Sequence, residues 1–236
     1  YYEKHHRKED KMRNIQVNNI VIVGGGFSGW LTAISMLKAF KHLNKHINVT
    51  LIESDKISHV GVGESTQPSV TAFLHRIGYK QTDWMPHANA TYKLGVMFNG
   101  WSDNQFMVDS ESQTWSTLDT TEYDCFGMHD AAIATGMTTK EWSNWFPPYR
   151  MAINNKSPKF GKERFNYTAG ETDLVINAVQ WDNLGVIEWL KSECIKLGMT
   201  HIVDNVTKAN LDEEGYIIEL ILENRVVNVS GDLYLD

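Results

Sequence analysis

Hydrophobic positions in the first part of the chain follow a strand–helix–strand pattern. Residues 19–23, NIVIV, form a short run rich in β-branched residues, which is typical of a strand buried on both faces. Apolar residues at helical spacing follow over 30–43, and a second strand is predicted from Asn48 in NVTLIES. The pattern therefore predicts a βαβ unit and an α/β fold.

Three spaced glycines lie between the first strand and the helix. In GGGFSG, residues 24–29, Gly24, Gly26 and Gly29 satisfy the spacing G-x-G-x-x-G. These glycines allow a tight turn, close approach to a pyrophosphate and close helix–strand packing, and the helix N-terminus favours an anion. Glu53 ends the second strand at the distance, about 20 residues, expected of a ribose-binding acid. The complete βαβ context disfavours an unrelated glycine-rich turn. The predicted dinucleotide-binding residues are Gly24, Gly25, Gly26, Ser28, Gly29 and Glu53.

The segments that follow narrow the choice of cofactor. The glycine turn suits either NAD or FAD. A second glycine-rich stretch, HVGVGEST, follows at residues 59–66, then a predicted helix near 69–77 and an irregular aromatic region to about residue 170. Because the chain does not continue as regular βα units, a simple NAD dehydrogenase is disfavoured.

The last part of the chain returns to regular patterns. Residues 180–198 predict a helix with Asp182 as its N-cap and Gly198 just past its end. Residues 201–236 predict successive strands, and the turn at 223–224 suggests a hairpin.

Lys93 lies in a segment with strand alternation. In TYKLGVMF, residues 91–98, apolar residues occupy one face, and Lys93 shares the other with Gly95 and Met97. Such a lysine is commonly solvent-exposed and deters pairing at a sheet edge. In the alternative reading, Gly95 leaves room for the head group and Met97 supplies an apolar wall, which suits a functional lysine.

Composition excludes several classes of protein. The 236 residues carry a net charge of −7 without a basic stripe, which argues against nucleic-acid binding and against docking on anionic lipid. Two cysteines, Cys125 and Cys194, give neither a disulfide framework nor a zinc spacing, so we expect no metal site and a cytoplasmic location. Residues 20–37 approach the length of a membrane span, but their glycines favour a separate strand and helix.

Several motifs of this chain resemble those of the flavin-dependent tryptophan halogenases. Residues 24–30 resemble the family's opening GGGxxGW, residues 61–66 its GxGE(A/S)T loop and residues 89–93 its NASYK segment. Residues 182–190 resemble its xDxxLVxxFL helix, and residues 232–236 resemble its DLFVDC strand. The resemblance covers most of residues 19–236 and is weakest over 100–170. GVGEST combined with ATYK is much more specific than the glycine turn alone.

The resemblance implies a reaction and a role for Lys93. In this family, reduced FAD and O2 form a flavin hydroperoxide, which a halide ion attacks to give hypohalous acid. The lysine at the position of Lys93 hydrogen-bonds this acid or forms a haloamine, and an electron-rich, indole-like substrate then takes up the halogen. The implied cofactors are FAD, used as FADH2, with O2 and a halide ion. The implied partners are a small aromatic substrate and a separate flavin reductase, and a homodimer is left open.

The resemblance also extends the predicted cofactor site. Val62, Gly63, Glu64 and Ser65 of the second glycine-rich stretch are expected to contact the flavin or relay its occupancy, and Val206 is expected to contact the adenine through its backbone. The alternatives are that Glu64 caps the following helix and that Val206 packs within a strand.

The expected fold is Rossmann-like, of the glutathione-reductase/hydroxylase type, with an inserted substrate-facing region. The predicted parts are a tail (1–18), the FAD-binding βαβ with the second glycine-rich stretch and the Lys93 strand (19–99), an aromatic-rich insertion (100–170) and a continuation of the FAD-binding domain (171–236). The family's W-x-W-x-I-P motif and catalytic glutamate have no match here, so the chain is expected to be an N-terminal portion. Two rival functions are a flavin-dependent aromatic hydroxylase or oxidase and a non-catalytic FAD-binding module.

Overall fold

A computed structural model describes residues 16–57, 63–98, 106–109, 134–137, 141, 147–157 and 178–236. The chain divides into two compact units, the first made of Tyr1–Ser58 with Lys191–Asp236 and the second of His59–Leu190. The predicted limits at residues 99–100 and 170–171 lie outside the described residues and stay a prediction.

The elements are numbered in chain order. The strands are β1 (Asn19–Val23), β2 (Asn48–Glu53), β3 (Gly63–Ser65), β4 (Thr91–Tyr92), β5 (Gly95–Phe98), β6 (Phe106–Asp109), β7 (Val179–Asp182), β8 (Thr200–Val203), β9 (Val206–Leu211), β10 (Ile217–Leu222) and β11 (Leu233–Leu235). The helices are α1 (Phe27–His42), α2 (Pro68–Arg76), α3 (Gln81–Trp84), α4 (Pro147–Ile153) and α5 (Asn183–Lys196).

A parallel sheet in the order β11-β1-β2-β8 organises the first unit. β1 lies between two neighbours and its central residues are buried, as its continuous apolar pattern predicts. α1 connects β1 to β2 and buries Trp30, Ala33 and Ile34, which recur at the spacing of one helical face. The βαβ prediction is therefore confirmed.

An antiparallel hairpin of β9 and β10 completes the first unit. A buried cluster joins it to the parallel sheet through Val21, Ile52, Ile202, Leu220 and Leu222. The chain also turns back after β10, where the sequence suggests a hairpin, but the return forms only an isolated antiparallel bridge between Leu220 and Val229.

The second unit contains a three-stranded antiparallel sheet in the order β3-β7-β4 and a separate pair, β5-β6. The prediction of one strand over 91–98 is wrong, because β4 ends at Tyr92 and β5 begins at Gly95 in a different sheet. Edge-to-face aromatic contacts between Trp84 and Trp181, with ring centroids 5.8 Å apart, help to pack this unit.

The prediction of a helix over 180–198 is correct only from Asn183. Gln180 and Trp181 belong to β7, whose alternating burial is that of a strand. Asp182 ends β7, and its Oδ1 accepts a hydrogen bond from the backbone N–H of Leu184, so it caps α5 as predicted. Gly198 follows the helix with φ of +89°, a conformation that favours glycine.

Cys194 yields a testable prediction about stability at high pH. The thiol is buried on α5, and its Sγ lies 3.9 Å from the backbone oxygen of Trp30. Burial raises the pKa of Cys194 to about 12. The folded state therefore retains the proton that an unfolded thiol loses near its ordinary pKa of about 8.5. This contribution to stability is complete below that pKa and disappears as the pH rises toward about 12.

We expect Cys194→Ala to make the free energy of unfolding fall less steeply between about pH 9 and pH 11 than it does in the parent protein. Urea denaturation at a series of pH values measures the difference. An identical slope in both proteins would show that the thiol does not contribute.

Along the described ranges, no helix combines the length and apolar character needed to cross a membrane. The same ranges hold no group of three or more His, Cys, Asp or Glu side chains arranged to bind a metal ion.

Candidate functional site

The glycine turn has the backbone geometry of its motif. Gly24 has φ of +116°, and its N–H donates to the backbone oxygen of Ile52 at 2.8 Å. A Cβ on Gly29 would overlap the backbone oxygen of Gly24, so close packing of α1 against the turn requires a glycine there. Two of the three motif glycines are thus required by the fold itself.

Gly26 differs from these two glycines. Its φ of −69° suits any residue, and a Cβ placed on it meets nothing within 4 Å. It is also the N-cap of α1, whose first turn contains no acidic residue and includes the exposed Ser28. This open space next to a helix N-terminus fits the approach of a pyrophosphate.

Glu53 lies against the same turn. It is only 8% exposed, and a Cβ on Gly25 would overlap its carboxylate. The structure therefore brings together the predicted acid and Gly25, and the missing side chain of Gly25 leaves room for Glu53.

Two basic residues that the sequence did not reveal surround Glu53. Its Oε1 lies 2.7 Å from Nε2 of His201 and 3.4 Å from Nζ of Lys191. The Trp30 ring contacts His201 edge to face, with centroids 5.1 Å apart, and lies 5.9 Å from Nζ of Lys191. His201 reaches Glu53 through the pairing of β8 with β2, whereas Lys191 lies far away in sequence on α5, so periodicity alone gave no signal for either contact.

Hydrogen bonds to Asp204 hold the turn between β8 and β9, just before Val206. Burial alone would raise the pKa of Asp204, but hydrogen bonds from Asn205 and Asn224 outweigh it and lower that pKa. Val206 itself is half-buried and packs against the core cluster, which agrees with the packing alternative. Its contact with an adenine stays a prediction.

The second glycine-rich stretch is described from Gly63 onward, and Val62 lies outside the described residues. β3 pairs with β7 so that Glu64 is opposite Trp181 and Ser65 is opposite Gln180. α2 begins later, at Pro68, and its N-cap, Gln67, makes no side-chain capping bond. Glu64 therefore belongs to a strand and does not cap the following helix.

Lys93 follows β4 directly and is half-buried. Its backbone N–H donates to the oxygen of Ala178 at 2.9 Å, and its Nζ donates to the backbone oxygen of Thr66 at 3.3 Å. Next to it, the hydroxyl of Tyr92 donates to Gln81 Oε1 at 2.6 Å, and burial raises the pKa of this tyrosine. The head group of Lys93 thus lies at the end of GVGEST, and its catalytic role stays a prediction.

The predicted residues thus form two groups, one in each unit. The glycine turn and Glu53 lie together in the first unit, together with the unpredicted His201 and Lys191. In the second unit, Lys93 lies at the end of the stretch that contains Gly63, Glu64 and Ser65.

Comparison with known proteins shows the family of this chain. The family model for tryptophan halogenase matches residues 19–236, and the chain therefore belongs to the tryptophan halogenase family. The family and the Rossmann-like fold predicted from the sequence are confirmed.

Individual relatives show the extent of the similarity. The tryptophan 6-halogenase SttH of Streptomyces toxytricini is 29% identical over 237 residues, which cover 93% of this chain and 43% of SttH. Its crystal structure matches with a TM-score of 0.77 at 28% identity, over 93% of this chain and 43% of that one. The 7-chloro-L-tryptophan 6-halogenase KtzR of Kutzneria sp. (strain 744) is 28% identical over 92% of this chain and 43% of KtzR.

A third relative is named for its cofactor class. Tar14, a tryptophan C-6 flavin-dependent halogenase (chlorinase) from taromycin biosynthesis, matches with a TM-score of 0.75 at 28% identity, over 92% of this chain and 42% of that one. The chain thus spans less than half the length of each of these relatives.

Proposed function

We propose that the full-length protein is an FAD-dependent halogenase that installs a halogen on an electron-rich, indole-like aromatic compound. The observation that carries the proposal is the half-buried Lys93, whose ammonium is held on the backbone oxygen of Thr66 at the end of GVGEST. Membership of the tryptophan halogenase family supports the same reaction class.

The first unit is the proposed FAD-binding part. Open space at Gly26 and the N-terminus of α1 would receive the pyrophosphate, and Glu53 would bind ribose hydroxyls. Val206 would contact the adenine through its backbone. When bound in its reduced form, the flavin supplies, with O2, the oxidising power that converts a halide ion to hypohalous acid.

Lys93 is the proposed residue that handles this oxidised halogen. An ammonium group offers several N–H donors, so Nζ is able to keep its bond to Thr66 and still donate to hypohalous acid. Such a bond polarises the oxygen–halogen bond and favours attack by an electron-rich ring carbon. In the alternative mode, a neutral amine at the same position attacks the halogen of hypohalous acid, so that the oxygen–halogen bond breaks, a haloamine forms and water leaves.

The remaining assignments rest on the relatives. SttH and KtzR are named as halogenases of tryptophan or of chlorinated tryptophan, so indole-like compounds are the proposed substrates. A separate flavin reductase is the proposed source of FADH2.

Product identity tests this function. The full-length protein is incubated with FAD, NADH, a flavin reductase, O2 and a panel of indoles, phenols and pyrroles, with chloride or bromide present or absent. We expect products with the isotope pattern of the added halogen only when halide is present. Hydroxylated products formed without halide would favour the aromatic hydroxylase, and FAD retention without turnover would favour the binding module.

Glu53 offers a test of the cofactor site that does not depend on turnover. Glu53→Gln keeps the shape of the side chain but removes the charge next to His201 and Lys191. We expect FAD affinity to fall at least about tenfold, since hydrogen bonds to charged groups contribute about 1.5–3 kcal/mol. Fluorescence titration with FAD measures the change.

Glu223→Gln is the control for this substitution. Glu223 forms an exposed ion pair with Lys56 at 2.6 Å, and exposed pairs contribute little to stability. Equal FAD affinity in Glu53→Gln and the control would contradict the ribose assignment.

A further inference from the structure

Where β3 ends, one hydrogen bond of its ladder with β7 departs from the regular pattern. The register of β3 with β7 pairs Ser65 with Gln180, so the next opposed pair is Thr66 and Val179. In an antiparallel sheet, such a hydrogen-bonded pair exchanges both N–H···O bonds. The first is present, because the N–H of Thr66 donates to the oxygen of Val179 at 2.8 Å.

A side chain accepts the second hydrogen bond of this pair. The N–H of Val179 donates at 2.9 Å to Oγ1 of Thr66, where a regular ladder would use the backbone oxygen of Thr66. The threonine hydroxyl thus takes the place of its own carbonyl, and it does so at a buried position.

The carbonyl released from the ladder has another partner. Nζ of Lys93 donates to it at 3.3 Å, while the backbone N–H of Lys93 is held by Ala178. One residue therefore links β7 and the lysine head group, with its hydroxyl bound to the strand and its carbonyl bound to Nζ. A carbonyl engaged in the ladder would have one lone pair committed and would point toward β7.

We propose that Thr66 is a positioning residue for Lys93, because its hydroxyl replaces its carbonyl in the sheet and leaves the carbonyl to orient the ammonium. This inference rests on the proposed function for its catalytic meaning, but the geometry concerns only Thr66, Val179 and Lys93. The hydroxyl of threonine or serine is able to replace the carbonyl in this way. Valine has nearly the same shape as threonine but has no hydroxyl. In Thr66→Val, the N–H of Val179 recovers the carbonyl of residue 66 and closes the ladder, so the sheet persists and Lys93 loses its anchor.

Two measurements on the full-length protein test the proposal. The first is the rate at which acetic anhydride acetylates Lys93, followed by peptide mass spectrometry. We expect this rate to rise several-fold in Thr66→Val and to stay at the parental level in Thr66→Ser. The second is halogenated product per NADH consumed, which is expected to fall about tenfold in Thr66→Val, with recovery in Thr66→Ser.

Thr207→Val is the matched control. Its Oγ1 donates to the backbone oxygen of Ile221 in the β9–β10 hairpin, so this variant also removes a threonine-to-backbone bond. We expect it to alter neither readout. If Thr66→Val does not fold, Thr66→Ala, compared with Thr66→Ser, gives the same comparison.

The outcomes separate this inference from the proposed function. Unchanged acetylation of Lys93 in a folded Thr66→Val or Thr66→Ala variant overturns the positioning role, whether or not the protein halogenates. If faster acetylation in these variants is restored by serine, the positioning role is supported even where the parent protein shows no halogenated product. In that case only the proposed function fails.

Discussion

Replacing Lys93 by alanine in the full-length protein is expected to reduce halogenated product about 100-fold or more. A positioned hydrogen-bond donor at a reacting oxygen commonly contributes about 10²–10³ in rate. The fold should tolerate the change, because the main anchors of this segment are backbone bonds such as that from the Lys93 N–H to Ala178. Product is measured by liquid chromatography with mass spectrometry, and folding by thermal denaturation.

The control for this substitution is Lys208→Ala, which removes an exposed lysine from β9. It is expected to retain full activity, since exposed substitutions usually change stability by about 0.5 kcal/mol or less. Full activity in Lys93→Ala as well would return Lys93 to the role of an ordinary surface lysine.

Lys93→Arg distinguishes the two chemical modes. Arginine keeps the positive charge but does not become a neutral nucleophile under ordinary conditions. A fully active arginine variant would exclude an obligatory haloamine and leave polarisation by a cation. An inactive one is consistent with a haloamine or with a strict geometric requirement.

The second large effect is expected for Gly26→Val, which should weaken FAD binding roughly 100-fold without unfolding the protein. The backbone of Gly26 suits any residue, and a Cβ there meets nothing within 4 Å, so the folded chain accepts the side chain. The space that valine fills is the space proposed for the pyrophosphate. Isothermal titration with FAD and thermal denaturation of the same samples measure both effects.

Gly29→Ala is the contrasting variant. Its Cβ would overlap the backbone oxygen of Gly24, and overpacking of this kind typically costs about 1–3 kcal/mol. We therefore expect Gly29→Ala to lower thermal stability, whereas Gly26→Val leaves it nearly unchanged. Wild-type FAD affinity in a folded Gly26→Val variant would show that the cofactor site has been placed wrongly.

Local patterns in the sequence were sufficient for the first βαβ unit. The apolar run of β1, the helical spacing of α1 and the glycines between them each report on a few neighbouring residues, and the structure agrees with all three. The cap at Asp182 was predictable for the same reason, because its partner, Leu184, is two residues away.

Local sequence patterns did not predict the features that depend on strand pairing. The alternation over 91–98 continues through Lys93 and does not show that β4 and β5 pair with different strands. The contact of His201 with Glu53 depends on the pairing of β8 with β2, and the exchange at Thr66 depends on the register of β3 with β7. Periodicity in a single sequence does not specify which strands pair or in which register they do so.

We propose that Lys93 directs oxidised halogen to an aromatic substrate, while the flavin is oxidised independently of this residue. The most direct test measures oxygen consumed, hydrogen peroxide released and halogenated product in the same reactions of the parent protein and Lys93→Ala. We predict equal oxygen consumption in both, with halogenated product lower by about 100-fold or more in the variant than in the parent protein. Equal halogenated product per oxygen in the two proteins would contradict the claim.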